Sequence, residues 1–247
     1  PVVIKGGRPH YWRTILKPIF EQFVCRKSED IRYLNTLELY NEGGYHYKPI
    51  PVLAHSFVLY GYFQSPRYFE QEYDKIIEIL DLRKQQEEIG QKYKDRYFNT
   101  TKPLVACHFR HGDYIKYKEH HPILPVAYYI KAFENITEGS RILFFCEKPD
   151  LPQIMQHFVE PLKRLYPQHE FVWVKQEAED WEQMLIMSQC RDFIIANSTF
   201  SWWGAYFSKS ENKRVFYPVT WFGTALQGHN TADLFPGSWQ KIAYSKW

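Results

Sequence analysis

The stretch Asp192–Ser208, DFIIANSTFSWWGAYFS, decides how the chain is read. An apolar run, Phe193 to Ala196, stops at Asn197-Ser198-Thr199, and an aromatic segment with Trp202, Trp203 and Gly204 follows. A short continuous apolar run that ends in small polar residues is the pattern of a strand buried on both faces, as in a parallel sheet. The same pattern repeats outward from it. Apolar runs at Leu104–Phe109, Ile142–Cys146, Phe171–Val174 and Arg214–Tyr217 alternate with helical patterns at Ala127–Ile136, Leu151–Leu165, Glu179–Gln189 and from about Ser201. Strands alternating with helices predict an α/β fold, a doubly wound, Rossmann-like parallel sheet over residues 99–247.

Upstream the pattern is less regular. Tyr11–Arg26 reads as a helix that Pro18 kinks or divides. Leu37–Tyr40 and Phe57–Tyr62 are β-like, with a Gly43-Gly44 turn signal between them, and a helix is expected from Ser65-Pro66 through the stripe Ile76, Ile77, Ile79 and Leu80. Lys84–Arg96 is highly charged and reads as solvated helix or linker. Asn99-Thr100-Thr101-Lys102-Pro103 marks the expected boundary, giving an N-terminal domain at 1–98 and a C-terminal one at 99–247.

Composition narrows the function classes. The net charge of +3 lacks the concentrated basic stripe that nucleic acid requires, so no nucleic-acid partner is expected. Aromatics at 18% suit stacking on sugar rings as well as core filling. Cys25, Cys107, Cys146 and Cys190 have neither zinc nor redox spacing, and the last three border apolar runs, so buried free thiols are expected. No run of apolar residues is long enough for a transmembrane segment. The chain starts at Pro1, and the expected setting is cytoplasmic, or membrane-associated through a missing upstream segment.

Ligands of doubly wound sheets bind beyond the carboxyl ends of the strands. The first such end carries His108-Phe109-Arg110-His111-Gly112-Asp113-Tyr114. His108 and Arg110 alternate to one side, and Arg110 can grip phosphate oxygens through two nitrogens at once. Equally, Arg110 could pair with Asp113, and His108 could be a satisfied core histidine. A metal on His108 and His111 fits less well, since no carboxylates join them. The fourth strand ends in Asn197-Ser198-Thr199-Phe200-Ser201, which can cap a helix and also present its N–H groups to an anion. In the strand order 3-2-1-4-5 these two ends share one crevice, which suggests a diphosphate. There is no GxGxxG, P-loop, GxSxG or Asp-x-Asp.

HFRHGDY, then ANSTFSWWGA about ninety residues later, then VFYPVTWF, together resemble the α-1,2-fucosyltransferase family, glycosyltransferase family 11. His108, Arg110, Gly112, Asp113 and Tyr114 match the family's His-x-Arg-Arg-Gly-Asp-Tyr, with His111 in place of the second Arg. Asn197 to Ala205 matches throughout, and Gly61–Phe69 is similar to the family's Gly-Tyr-Phe-Gln-Ser segment. The family's opening Gly-Gly-x-Gly-Asn-Gln is lacking; only Lys5-Gly6-Gly7-Arg8-Pro9 stands near the start. The resemblance implies a GT-B-like enzyme of two Rossmann-like domains, the N-terminal one incomplete. It also implies transfer of L-fucose from GDP-fucose to a glycan acceptor, at a galactose O2, by metal-independent inversion. Arg110 and His108 would grip the diphosphate with Asn197, Ser198, Thr199, Phe200 and Ser201. Asp113 and His111 are candidate bases, and fixing Arg110 is the other role open to Asp113. Two alternatives stay open: a non-catalytic nucleotide-sugar-binding remnant, and a transferase of the same fold using another sugar nucleotide. Acceptor stacking could involve Tyr60, Tyr62 and Phe63.

Overall fold

The computed structural model describes residues 11–23, 32–52, 54–175 and 177–244. Its chain divides into two compact units. The described residues up to Arg83, with Gly228–Gly237, form the first, and Lys84–Gln227, with the described residues from Ser238 onward, form the second.

The second unit is built on a six-stranded sheet in which every neighbouring pair is parallel. Its strands are β3 (Leu104–His108), β4 (Arg141–Phe145), β5 (Glu170–Trp173), β6 (Asp192–Ile194), β7 (Arg214–Pro218) and β8 (Gln240–Ile242). Their spatial order is β5-β4-β3-β6-β7-β8, the doubly wound order with its switch point between β3 and β6. Five of the six are the apolar runs of the sequence. The sixth, β8, escaped notice because it is three residues long and only Ile242 is buried. Val105, Cys107, Ile142, Phe144, Ile194 and Phe216 form the middle of the core, under the helix Val126–Phe133 and the helical run Leu151–Leu165. That run passes through a π-helical turn at Met155–Val159.

Two adjacent tyrosines on the helix Val126–Phe133 finish the strands. Tyr128 Oη donates to Ile195 O at 2.6 Å and Phe216 O at 3.0 Å, and Tyr129 Oη donates to His108 O at 3.1 Å. Burying these rings without such bonds would leave hydroxyls and strand-end carbonyls unsatisfied. At the opposite edge Arg214 grips the fully buried Asp192 with two hydrogen bonds, at 2.9 and 2.5 Å. Cys107, Cys146 and Cys190 are free and buried, as expected; burial pushes the Cys146 thiol up to about 12. Cys25 lies outside the described residues.

Of the two readings of Lys84–Arg96, solvated helix or linker, the structure takes the helix, and from Lys84 it is part of this unit. It forms the helix Leu82–Lys92 and a π-helical turn, Lys94–Phe98. Gln86 is buried and donates to Ser188 Oγ and Phe207 O, while Lys92 and Tyr93 both donate to Glu182. The charges face solvent while Ile89, Tyr93 and Tyr97 are buried. The second compact unit therefore begins at Lys84. Glu182 also closes a capping box with Glu179 at the start of the helix Asp180–Met187, where the sequence showed only a polar first turn.

Among its described residues the first unit holds two strands, β1 (Glu38–Asn41) and β2 (Phe57–Tyr60), paired in parallel. Parallel pairing requires a crossover, so Gly43-Gly44 does not close a hairpin. The expected helix from Tyr11 is two pieces, a 3₁₀ turn at Tyr11–Arg13 and a helix at Lys17–Phe23 with Pro18 in its first turn. Its continuation to Arg26, like Lys5–Pro9, lies outside the described residues. Ser65 caps the turn Pro66–Tyr68, and the helix proper is Tyr73–Ile79. The segment Gly61-Tyr62-Phe63 wraps the buried carboxylate of Glu42, whose Oε2 accepts from the N–H groups of Tyr62 and Phe63 at 2.8 Å each. A Cβ at position 61 would sit 2.5 Å from Glu42 Cβ, so only glycine fits there.

Gly204 supplies a test of the packing. It lies within the helix Thr199–Tyr206, and a Cβ there would stand 2.4 Å from Met187 Sδ and 3.2 Å from Met187 Cβ. Alanine gains ~1 kcal/mol of helix propensity, but overpacking costs about 1–3 kcal/mol where the neighbour cannot yield. Met187 is 1% exposed, so the clash wins. Gly204→Ala is expected to lower stability by about 1 kcal/mol, a fall in melting temperature of roughly 2–4 °C by calorimetry. A rise would show that Met187 repacks freely.

Candidate functional site

β3 delivers His108 to the carboxyl edge of the sheet, and the chain then turns through Phe109-Arg110-His111 into the 3₁₀ turn Gly112–Ile115. Gly112 has φ +33°, and a Cβ there would meet Glu147 Oε2 at 3.2 Å and Asp150 Oδ2 at 3.3 Å. Its N–H donates to Asp150 Oδ2 at 2.7 Å. The glycine of the motif is thus needed for its backbone angle and for the close approach of two acids from the loop after β4.

Arg110 is held from both sides. One terminal nitrogen donates to Asp113 Oδ1 at 2.5 Å, the other to Glu147 Oε1 at 2.6 Å, and the guanidinium lies 5.1 Å over the Tyr114 ring. Its Nε is buried without a hydrogen-bond partner. The pairing with Asp113 is the structural alternative of the sequence, now present. Glu147 and Asp150 went unnoticed there, although the strand-end rule applied to β4 points straight at Cys146-Glu147-Lys148-Pro149-Asp150. Arg110 therefore sits among carboxylates: Asp180, its carboxyl raised by burial, also feels the guanidinium, which pulls it back down.

His108 is 5% exposed, and burial, with the Arg110 charge beside it, lowers its pKa to about 3. It is a neutral imidazole at ordinary pH and can serve an anion only as a hydrogen-bond donor. Its Nδ1 and that of His111 are buried without partners.

β6 ends three residues before Asn197, and the two motif segments then meet. Tyr114 Oη donates to Asn197 O at 2.9 Å, and the His108 ring lies 5.4 Å from that of Phe200. Asn197 is 2% exposed and faces inward, its Nδ2 donating to Pro122 O at 3.0 Å and Trp221 O at 3.2 Å. Ser201 is also fully buried, with its hydroxyl directed at the carbonyls of Ala196 and Ser198. These two side chains support the turn. Ser198, at the N-cap, makes no side-chain capping bond, and Thr199 is exposed with Phe200 half-buried beside it. Ser198 is itself buried, so the part of this segment turned to the open edge is Thr199 and Phe200. Trp202 stacks on Tyr206 with centroids 4.7 Å apart and also packs on Trp239, and Trp203 packs on Phe207. The tryptophans fix the helix by packing against its own later turns and Trp239.

In the first unit Tyr60 and Tyr62 are exposed, with Tyr62 stacked on Tyr45, while Phe63 packs edge-on against Tyr68. Among the described residues no helix is long and apolar enough to cross a membrane, and no group of three or more His, Cys, Asp or Glu side chains is arranged to hold a metal ion.

Comparison with known proteins supplies the lineage. The family model described as glycosyl transferase family 11 matches residues 44–242. The chain is similar to an Escherichia coli protein named O-antigen biosynthesis glycosyltransferase WbnK, 27% identical over 240 residues that cover 92% of this chain and 70% of that one. It is also similar to a protein named alpha-1,2-colitosyltransferase from Escherichia coli, 28% identical over 189 residues that cover 74% of this chain and 61% of that one. No solved structure matches it. A match running from the crossover of the first unit to the last strand of the second takes in the parallel sheet, the Arg110 turn and the Asn197 turn together, and the chain belongs to glycosyl transferase family 11.

Proposed function

We propose that this chain transfers L-fucose from GDP-fucose to a hydroxyl of a glycan acceptor, a galactose O2, with inversion and without a metal. The observation that carries the reading is the meeting of Arg110 and the start of the helix Thr199–Tyr206 at one sheet edge, joined by the hydrogen bond from Tyr114 to Asn197. A leaving diphosphate needs a planar cation and free N–H donors, and a helix start beside an arginine offers both. In such a displacement the acceptor oxygen bonds to the anomeric carbon as the bond to the diphosphate oxygen breaks. GDP takes the electron pair, and the acceptor proton passes to a base. Groups placed in advance where the leaving charge develops lower that barrier most.

In this reading Asp113 is a positioning residue, since its carboxylate is spent on Arg110. Glu147 is about half exposed, whereas Asp113 is more enclosed, so an incoming diphosphate displaces Glu147 and keeps Asp113. His108 donates as a neutral ring, and His111 is the remaining acid–base group on the turn. A second reading keeps the site and changes the sugar: the relative named a colitosyltransferase favours a donor carrying another sugar.

Incubation with GDP-fucose, GDP-colitose and UDP-sugars, over galactose-terminated acceptors, tests the reading through nucleotide release. GDP-fucose is expected to turn over fastest; preference for GDP-colitose selects the second reading, and release of UDP alone rejects both. Binding of GDP without transfer on any acceptor would mean a non-catalytic remnant. Arg110→Ala is expected to cut turnover at least ~100-fold, the scale of losing one transition-state donor. Glu147→Gln removes the competing carboxylate and should bind GDP as tightly as the parent or more tightly. Unchanged turnover in Arg110→Ala would remove the diphosphate from this edge.

The depressed pKa of His108 also sets a pH dependence. Below its ordinary pKa of 6.5 the unfolded chain takes up a proton that the folded chain refuses, so this histidine's contribution is present above 6.5 and lost as pH falls toward 3. Urea unfolding at pH 7 and pH 4.5 should show a stability difference that shrinks by roughly 2 kcal/mol in His108→Gln. An unchanged difference would mean that His108 protonates in place.

A further inference from the structure

We propose that the cavity between the loops after β3 and β7 binds a pyranose ring of the acceptor glycan, an inference that rests on the transferase reading above. The cavity measures about 620 Å³ and lies wholly within the second unit, lined by Lys118, Glu119, Phe222, Thr224 and Gln227 among others. That volume is in the range of small-ligand sites.

Its walls are held in place. Gly223 N–H donates to His120 O and Ala225 N–H to Glu119 O, both at 2.8 Å. A Cβ on Gly223 would stand 2.3 Å from Glu119 O and 2.9 Å from Lys118 O, so one loop lies directly on the backbone of the other. Asn197 ties both loops to β6 through Pro122 O and Trp221 O.

The chemistry of the lining fits a sugar. Phe222 is a half-buried ring against which the C–H face of a pyranose can pack. Around it stand exposed hydroxyl, amide, carboxylate and ammonium groups, on Thr224, Gln227, Glu119 and Lys118, that can meet ring hydroxyls. The cavity is open to solvent on one side, suited to one residue of a longer glycan. The cavity is also connected to the proposed donor edge by a column of side chains. The Arg110 guanidinium lies 5.1 Å from the Tyr114 ring, Tyr114 stacks on His121 at 4.9 Å, and His121 lies 6.1 Å from Phe222. A sugar on Phe222 therefore sits one aromatic column away from the cation that would receive the leaving diphosphate.

Saturation-transfer NMR on the full chain tests this with methyl β-galactoside, lactose, N-acetyllactosamine and lacto-N-biose, while calorimetry follows GDP. At least one glycan should show saturated ring protons. Phe222→Ala should weaken its binding at least tenfold and leave GDP affinity within twofold, and Phe222→Trp should restore sugar binding. Should Phe222→Ala fail to fold, Thr224→Ala with Gln227→Ala, both on the exposed rim, should lower the same signal. The proposal is overturned if no glycan of the set is saturated, if the rim and Phe222 variants bind sugar as the parent does, or if Phe222→Ala loses GDP instead. Sugar binding that persists in a chain unable to bind GDP would sink the donor reading and leave the cavity assignment standing.

Discussion

Asn197 is the constraint on which the rest of the edge depends. A strand three residues long cannot by itself aim the chain beyond it, yet the turn after β6 is fixed because this one residue is held at both ends. Its carbonyl accepts from Tyr114, and its amide nitrogen donates to Pro122 and Trp221. Three separate loops are thereby brought to one point. A buried amide whose bonds go to backbone carbonyls fixes position more tightly than apolar contact, because each bond has a direction and an unmade one costs about 1–3 kcal/mol. Serine or aspartate could not replace it: neither carries an N–H₂ to share between two carbonyls.

Much of the second unit was legible in the sequence because its strands are buried on both faces. Val105, Ile142, Phe193 and Val215 lie in runs that need no partner to be recognised. The order of those strands also accords with the winding rule, and with it the crevice between β3 and β6. The structure agrees with the family resemblance at the level of the Rossmann-like α/β fold and the lineage. What the sequence could not convey is the direction of individual side chains. Asn197 and Ser201 look like ligand groups in a string of letters because small polar residues serve turns and ligands alike. Only burial separates the two uses. Gln86 and Tyr93 were lost in a charged segment for the opposite reason: a helix with one thin buried stripe has its periodicity masked by many lysines and glutamates.

The surroundings of Arg110 define how it can act. A guanidinium between two carboxylates has no net positive charge to offer at a distance, so attraction of an anion from afar cannot be its contribution. In the proposed donor site its value lies in preorganisation. Asp113 and Glu147 fix the plane of the fork, and the more exposed acid can leave when a better oxygen arrives. Exchanging one oxygen partner for another costs less than ordering a free arginine from water, since the side-chain entropy has already been lost in folding.

Asn197 is also the head of an Asn-Ser-Thr sequence, the acceptor triplet for N-linked glycans. In the folded chain that nitrogen is spent on two backbone carbonyls and the residue is buried, so no enzyme could reach it. In a nascent chain the same nitrogen is open. Passage through a glycosylating compartment would thus set folding and modification in competition for a single atom. A glycan attached first would hold apart the loops of Pro122 and Trp221, and the choice of expression host becomes a choice between two different molecules.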